Sequence, residues 1–297
     1  MRIDGRTKLA GLVGWPIDKS LSPAMHNAAY EVLDLNWVYL PFSVQDQKGL
    51  ARFVDAVRSL PFVGFNVTMP YKQAILGLCD EVAMFAQMAE AVNTVHCLDG
   101  TLVGYNTDGR GLIEALRSEA GFDPAGKKAA IIGAGGAAAA AVVGLIVGKA
   151  SDIAMVNRSV ERAEAVIERM RPYLRGATAE ALPLDRSARE AVESADLVVN
   201  ATPIGMVEGD PSPVPPEWLH EGQVVCDMIY QRPETDLVRV ARDAGATVVG
   251  GLPMLVEQGA LAIEIWSGAS QVQVPRDVMR RAAEEALARH PAQEGER

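Results

Sequence analysis

Ile131-Ile132-Gly133-Ala134-Gly135-Gly136-Ala137-Ala138 lies near the middle of the 297-residue chain and reads as a glycine turn that opens a helix. Ahead of it, Lys128-Ala129-Ala130-Ile131-Ile132 reads as a short buried strand, and the alanine-rich stretch after Gly136 reads as a helix. Backbone N–H groups at such a helix start suit a pyrophosphate. Gly133 permits the tight turn, Gly135 lets the backbone approach phosphates, and Ala138 is small enough for helix and strand to pack closely. The motif points to a dinucleotide, although glycine turns between strands and helices are common and need support from elsewhere.

That support comes from the end of the next strand, Ile153 to Val156, which runs into Asn157-Arg158-Ser159 without an acidic residue. A carboxylate there would accept hydrogen bonds from the ribose 2′-OH of NAD, whereas a neutral residue followed by arginine suits the 2′-phosphate of NADP. A guanidinium can fork onto phosphate oxygens and stack on adenine. The plainer role for Arg158 is a surface pairing with a nearby glutamate; the glycine turn upstream favours NADP.

The stretch from Ala129 to Gly148 carries no charge for 20 residues, long enough on paper to cross a bilayer. Its glycines and alanines make it only weakly apolar, and the Gly133–Gly136 break suits a strand and turn better. The first residues, Met1 to Arg6, contain no apolar run of secretory type. The expectation is a soluble cytoplasmic protein.

Composition narrows the function further. The chain has room for two modest domains, and its 49% hydrophobic content can fill both. A balance of 28 basic against 38 acidic residues, net −10, argues against a nucleic-acid surface. Cys79, Cys97 and Cys226 form no Cys-x-x-Cys pair and read as reduced core thiols. The four histidines are scattered, so neither a metal site nor a Ser-His-Asp hydrolase is expected, and His26 is assigned to helix packing.

The residues before the glycine turn already alternate strand and helix. Strands are expected at Leu9 to Val13, Val38 to Phe42, Phe62 to Val67 and Val92 to Cys97, with helices at Ala24 to Leu33 and Leu50 to Leu60. Asp108-Gly109 opens a helix into a second domain, residues 109–251. Its strands are Ala129 to Ile132, Ile153 to Val156, Leu197 to Asn200, Val224 to Asp227 and Thr247 to Val249. This is an α/β chain: a substrate domain over residues 1–108, then a Rossmann-like doubly wound parallel sheet. Helices at Met254 to Trp266 and Arg276 to Arg289, within residues 252–297, are expected to pack back on the first domain, and Pro291 to Arg297 to form a disordered tail.

Four polar clusters fall at strand ends, where open α/β sheets place ligands. In Gly14-Trp15-Pro16-Ile17-Asp18-Lys19-Ser20-Leu21-Ser22-Pro23, two serine hydroxyls can grip a carboxylate; N-capping by Ser22 ahead of Pro23 would explain that serine but not Ser20. In Asn66-Val67-Thr68-Met69-Pro70-Tyr71-Lys72, Lys72 is read into the first turn of a helix, where a cation opposes the dipole and asks for a reason such as proton transfer. Ala91-Val92-Asn93-Thr94 and Gly104-Tyr105-Asn106-Thr107-Asp108-Gly109 repeat an Asn-Thr pair around a short hairpin. Turn and capping chemistry is one reading of the last cluster; a pairing of Asp108 with Lys72 at a hydroxylated substrate is the other.

Taken together, these clusters resemble the shikimate dehydrogenase family: its Ser-x-Ser loop at Ser20 and Ser22, its Asn-Val-Thr-x-Pro-x-Lys element at Asn66 to Lys72, and its Asn-Thr-Asp-Gly element at Asn106 to Gly109. Asn200 to Met206, Asp227 to Tyr230 and Met254 to Ala260 resemble later family blocks in the family's order. The resemblance implies reversible NADPH-dependent reduction of 3-dehydroshikimate to shikimate, serving aromatic amino acid biosynthesis by way of chorismate. It implies Lys72 and Asp108 as the catalytic pair, and Ser20, Ser22, Thr68, Asn93, Tyr230 and Gln258 around the substrate. It places Gly133, Gly135, Gly136, Ala137, Asn157, Arg158, Ser159, Thr202, Met228, Gly251 and Met254 along NADP, with no metal. Glu90 and Pro253 stand where the family often has glycine. Three alternatives follow: a quinate/shikimate enzyme using NAD or NADP, an aminoshikimate dehydrogenase, and a non-catalytic ligand-binding paralogue. A small-molecule substrate, no nucleic acid, no membrane, and a monomer or homodimer complete the expectation.

Overall fold

The computed structural model describes residues 3–232, 234–268 and 272–289; the tail expected over Pro291 to Arg297 lies outside them. The chain divides into two compact units, Met1–Thr107 with Val256–Arg297, and Asp108–Leu255.

The first unit runs β1 (Lys8–Gly14), α1 (Ser22–Val32), β2 (Trp37–Ser43), α2 (Gln47–Val57), β3 (Phe62–Val67), β4 (Glu81–Val82), α3 (Met84–Ala89), β5 (Thr94–Leu98) and β6 (Thr101–Tyr105). Its sheet has the order β2-β1-β3-β5-β6-β4, with β1 parallel to β2 and β3, and β5 antiparallel to β3 and β6. Every residue of β3, Phe-Val-Gly-Phe-Asn-Val, is buried, as a central strand covered on both faces must be. Phe65, Val67, Ile75, Val95 and Leu102 share one core.

The second unit continues with α4 (Asp108–Ala120), β7 (Lys128–Ile132), α5 (Gly136–Val147), β8 (Asp152–Asn157), α6 (Val160–Met170), β9 (Thr178–Pro183), α7 (Arg189–Glu193), β10 (Leu197–Asn200), β11 (Val224–Asp227), α8 (Asp236–Asp243) and β12 (Thr247–Val249). Its sheet, β12-β11-β10-β7-β8-β9, is parallel throughout, the doubly wound arrangement expected. The direction of winding reverses between β7 and β10, which puts the switch point at Gly133 and Ala201.

α9 (Gly251–Ser267) and α10 (Arg276–Arg289) close the chain. They return to the first sheet as expected: Trp266 Nε1 donates to the Val95 carbonyl at 2.9 Å, and α10 packs on α1. Arg276 bridges Glu257 at 2.6 Å and Glu264 at 2.9 Å, fixing α9 against the start of α10. Among the described residues, no helix is long and apolar enough to cross a membrane.

Several boundaries differ from the sequence reading. α2 starts three residues before Leu50, because Asp46 caps it by accepting from Gly49 N at 2.6 Å. β5 starts at Thr94 rather than Val92, since the Val92 amide donates to the Lys72 carbonyl at 2.7 Å and not to a strand. β9 has no counterpart among the expected strands: it is an edge strand carrying Glu180 and none of its residues is fully buried, so it lacks the apolar run that reveals the others.

Candidate active site

In the first unit, two loops leave the carboxyl ends of β1 and β3 side by side. The Trp15 amide donates to Met69 O at 3.1 Å, and the Thr68 amide to Val13 O at 3.0 Å. Gly14 is required by this approach, because a Cβ there would stand 2.3 Å from Thr68 Cγ2. The first loop delivers Ser20 and Ser22, whose amide donates to Ser20 Oγ at 3.3 Å. The capping role for Ser22 does not hold: Leu21 is the N-cap of α1, and Ser22 is already helical with no side-chain cap. Its hydroxyl is left for another partner.

The second loop delivers Thr68 and Lys72. Here the sequence reading needs correction, because Lys72 lies in a turn ahead of a short 3-10 segment, Ala74–Leu78, and not in the first turn of an α-helix. The helix-dipole argument for Lys72 therefore does not apply, and what the structure gives is its backbone position. The Lys72 carbonyl holds the Val92 amide, so the lysine backbone abuts the segment carrying Asn93.

Asn93 is 2% exposed. Its Oδ1 accepts from the Thr107 amide at 2.8 Å, and its Nδ2 donates to Thr107 Oγ1 at 2.9 Å and to Gln258 Oε1 at 3.4 Å. Backbone bonds thus hold the loop after β1, the loop after β3 and the Asn93 segment at one end of the first sheet, and Gln258 meets Asn93 there. Asp108 and Tyr230 belong to the second unit. Asp108 directly follows Thr107 and opens α4; burial pushes the Tyr230 phenol above its ordinary range.

In the second unit the glycine turn has the required geometry. Gly133 sits at φ +120°, donates to Val156 O at 2.8 Å, and would bring a Cβ to 3.0 Å from Ala201 O. Gly135 is the extended N-cap of α5 and Gly136 its first residue; a Cβ at either would meet nothing within 4 Å. Ala137 follows them, and Ala138 is fully buried. This open backbone, with helix N–H groups behind it, fits a pyrophosphate.

At the end of β8, Asn157 Nδ2 donates to Ser159 O at 2.8 Å, which fixes the turn into α6. Arg158 is exposed between them and makes no ion pair among the described residues, so the surface pairing weighed for it is not formed. An exposed guanidinium at this position fits a 2′-phosphate.

Beside the turn, Asn200 Oδ1 accepts from the amide of Thr202 at 3.0 Å and its hydroxyl at 2.7 Å, while Asn200 Nδ2 donates to Asp227 Oδ1 at 3.0 Å. Burial raises the Asp227 carboxyl, and bonds from Thr235, the Ile229 amide and Asn200 oppose that rise. A Cβ on Gly251 would fall 2.4 Å from Met228 O, so glycine allows α9 to start against β11's end, near buried Met254. Pro253 occupies the first turn of α9, where its missing N–H costs nothing.

Tyr39, Thr94 and Thr107 are buried polar residues of the first unit to which the sequence reading gave no role. Tyr39 had no signal: within Trp-Val-Tyr-Leu-Pro-Phe-Ser it reads as an ordinary strand residue. The repeated Asn-Thr pair was the available signal for the threonines.

Comparison with known proteins accords with this geometry. Residues 12–95 match the shikimate dehydrogenase substrate binding domain, residues 115–205 the shikimate/quinate 5-dehydrogenase family, and residues 251–284 the shikimate 5′-dehydrogenase C-terminal domain. A shikimate dehydrogenase (NADP(+)) of Methanopyrus kandleri is 45% identical over 96% of this chain and 98% of its own. The shikimate 5-dehydrogenase of Listeria monocytogenes, solved with shikimate and NAD, superposes with a TM-score of 0.88 at 36% identity over 95% of this chain and 98% of that one. That of Thermus thermophilus, with NADP(H) and shikimate, gives 0.82 at 37% identity over 94% and 99%. The chain belongs to the shikimate dehydrogenase family.

Proposed function

We propose that this chain interconverts shikimate and 3-dehydroshikimate with NADP(H). The observation that carries the reading is the buried Asn93 cluster, with two serines and a lysine at the same sheet end, in a chain related to shikimate dehydrogenases over nearly its full length. The arrangement suits a polyhydroxylated ring with a carboxylate. Ser20 and Ser22 donate to the carboxylate, while Thr68, Asn93, Tyr230 and Gln258 sort the ring hydroxyls.

Gly133, Gly135, Gly136, Ala137, Asn157, Arg158, Ser159, Thr202, Met228, Gly251 and Met254 would hold NADP, which when bound would supply the hydride exchange at the substrate carbon. At the substrate oxygen, charge develops as the carbonyl is reduced, and a donor must meet it. Lys72 Nζ gives that proton in reduction and takes it back in oxidation. Asp108 orients the ammonium and accepts a hydrogen bond from a ring hydroxyl. Arg158 selects NADP over NAD. The chain works in the cytoplasm as a monomer or homodimer, and its net charge of −10 leaves nucleic acid no general surface.

The test is oxidation of shikimate or quinate by the purified chain, each with NADP and with NAD, followed through the absorbance of reduced nicotinamide. Shikimate with NADP is expected to be the fastest pair. Faster turnover of quinate would move the reading to the quinate branch, and a folded protein silent with every pair would make it a binding paralogue.

A further inference from the structure

Behind the proposed substrate residues lies a row of buried polar groups that the functional reading leaves without a task. Tyr39, in β2, is 1% exposed. Its hydroxyl donates to Asn66 Oδ1 at 2.8 Å; Asn66 Nδ2 donates in turn to Thr94 Oγ1 at 3.0 Å and to the Asn93 carbonyl at 3.2 Å; and Thr94 Oγ1 reaches Asn93 Oδ1 at 3.1 Å. The chain of bonds therefore ends on the amide that meets Gln258.

The other side of Tyr39 is tied to the serine loop. Asn27 Oδ1 accepts from the Tyr39 amide at 2.9 Å, and its Nδ2 donates to Tyr39 O at 3.0 Å and to Pro23 O at 2.8 Å, next to Ser22. The Ser22 side chain also acts on the phenol, opposing the rise in pKa that burial imposes. The ring itself cannot move far, being stacked on His26 at 4.2 Å and 15° with Trp266 beyond it at 6.3 Å. Packing alone would be met as well by phenylalanine. A hydroxyl buried here is useful only for the bonds it makes.

We propose that Tyr39 is a positioning residue: through its hydroxyl it fixes the spacing between the Ser22 end and the Asn93 end of the substrate site, without touching substrate. Removing the hydroxyl leaves Asn66 Oδ1 without its donor, and the Asn66 amide then loses the orientation that presents Asn93. Substrate recognition suffers, while the residues assigned to the cofactor and to proton transfer stay as they were. The inference rests on the functional reading above.

At nearly constant volume, Tyr39→Phe removes the bond to Asn66 Oδ1, and Asn66→Asp removes the two bonds that Asn66 Nδ2 donates to Thr94 and to the Asn93 carbonyl. In steady-state kinetics each is expected to raise KM for shikimate by about 5- to 30-fold, with kcat within about threefold and KM for NADP unchanged, as loss of uniform binding predicts. Combined with Ser22→Ala, Tyr39→Phe should cost less than the product of the two single effects, because both act on one grip. Either variant, if folded, decides the matter. A shikimate KM within twofold of the parent, or equal losses in kcat and in both KM values, would overturn the role and leave Tyr39 as core. The parent's own turnover of shikimate separates the two levels: if the parent is inactive the functional reading falls and this inference with it, whereas an active parent with unmoved variants removes only Tyr39.

Discussion

Lys72 keeps its proposed function on different grounds from those that first singled it out. The sequence places it in a helix, but Pro70 and the anchoring of the Tyr71 hydroxyl on Val44 O at 2.8 Å put it in a turn instead. What remains is a lysine at a strand end, backbone to backbone with the Asn93 segment. Lys72→Ala is expected to lower kcat by about 10²- to 10⁴-fold while moving KM for shikimate less; a kcat near the parent's in a folded variant would assign the proton to another group. Arg158→Ala tests the other end of the reaction. Losing a charge-assisted bond to a phosphate should raise KM for NADP by about 10- to 100-fold and leave KM for NAD nearly still, so parallel losses with both cofactors would detach Arg158 from the 2′-phosphate. His26 concerns stability alone. It is fully buried, its Nε2 has no hydrogen-bond partner among the described residues, and burial pushes its pKa down to about 3 from 6.5. Tyr30 and Tyr39, the titratable groups against it, are pushed upward and stay neutral. The fold accepts only the neutral imidazole, so its contribution is complete above about pH 6.5 and declines as pH falls toward 3, by about 1.4 kcal/mol per pH unit. In urea unfolding, parent protein should lose about 2 kcal/mol more between pH 7 and pH 5 than His26→Leu does; identical losses would mean that another group takes up the proton.

At the scale of elements, strands were legible where burial on both faces writes an unbroken apolar run, as in β7, β10 and β11, and illegible where an edge relaxes that demand, as in β9. Glycines illustrate what the sequence hides. Gly109, the second residue of α4, looks plain in the sequence, yet a Cβ there would stand 2.3 Å from Ala140 O and 3.1 Å from Gly144 N, and a Cβ on Gly144 would stand 2.5 Å from Gly109 O. Two glycines on different helices let α4 and α5 touch backbone to backbone. Gly109→Ala must push them apart and should cost about 1–3 kcal/mol, lowering Tm by several degrees. Gly77, where a Cβ meets nothing within 4 Å, provides the neutral control; an equal Tm for the two alanine variants would mean the helices part freely. Glu90 shows the converse. It takes the left-handed C-cap of α3 at φ 47° and ψ 39°, a conformation glycine adopts without strain, which accounts physically for the glycine often found there in the family. The motif residues were readable because polar types at strand ends stand out against apolar strands; Tyr39 was not, since only the pairing of β1 with β2 and β3 brings it to Asn66.

For the whole molecule, the decisive asymmetry is in how the chain supplies its two units. Asp108–Leu255 is one uninterrupted stretch, whereas the other unit needs both Met1–Thr107 and Val256–Arg297. The continuous stretch closes its own parallel sheet and owns a core that includes Ile132, Val156, Val198, Trp218, Val225 and Leu237. It also carries every residue assigned to NADP, from Gly133 to Met254. A continuous segment with its own sheet and its own core has what a domain needs to fold alone. Residues 108–255, expressed by themselves, are therefore expected to unfold in one cooperative transition. NADP at about 100 times its Kd should stabilise the fragment by about 2.7 kcal/mol, a rise in Tm of several degrees, while shikimate alone leaves it unmoved because Ser20, Ser22, Thr68, Lys72, Asn93 and Gln258 are absent. A cooperative fragment indifferent to NADP would show that the cofactor needs residues outside this stretch. A fragment without a cooperative transition would show that α9, cut at Leu255, completes the second core as well as the first.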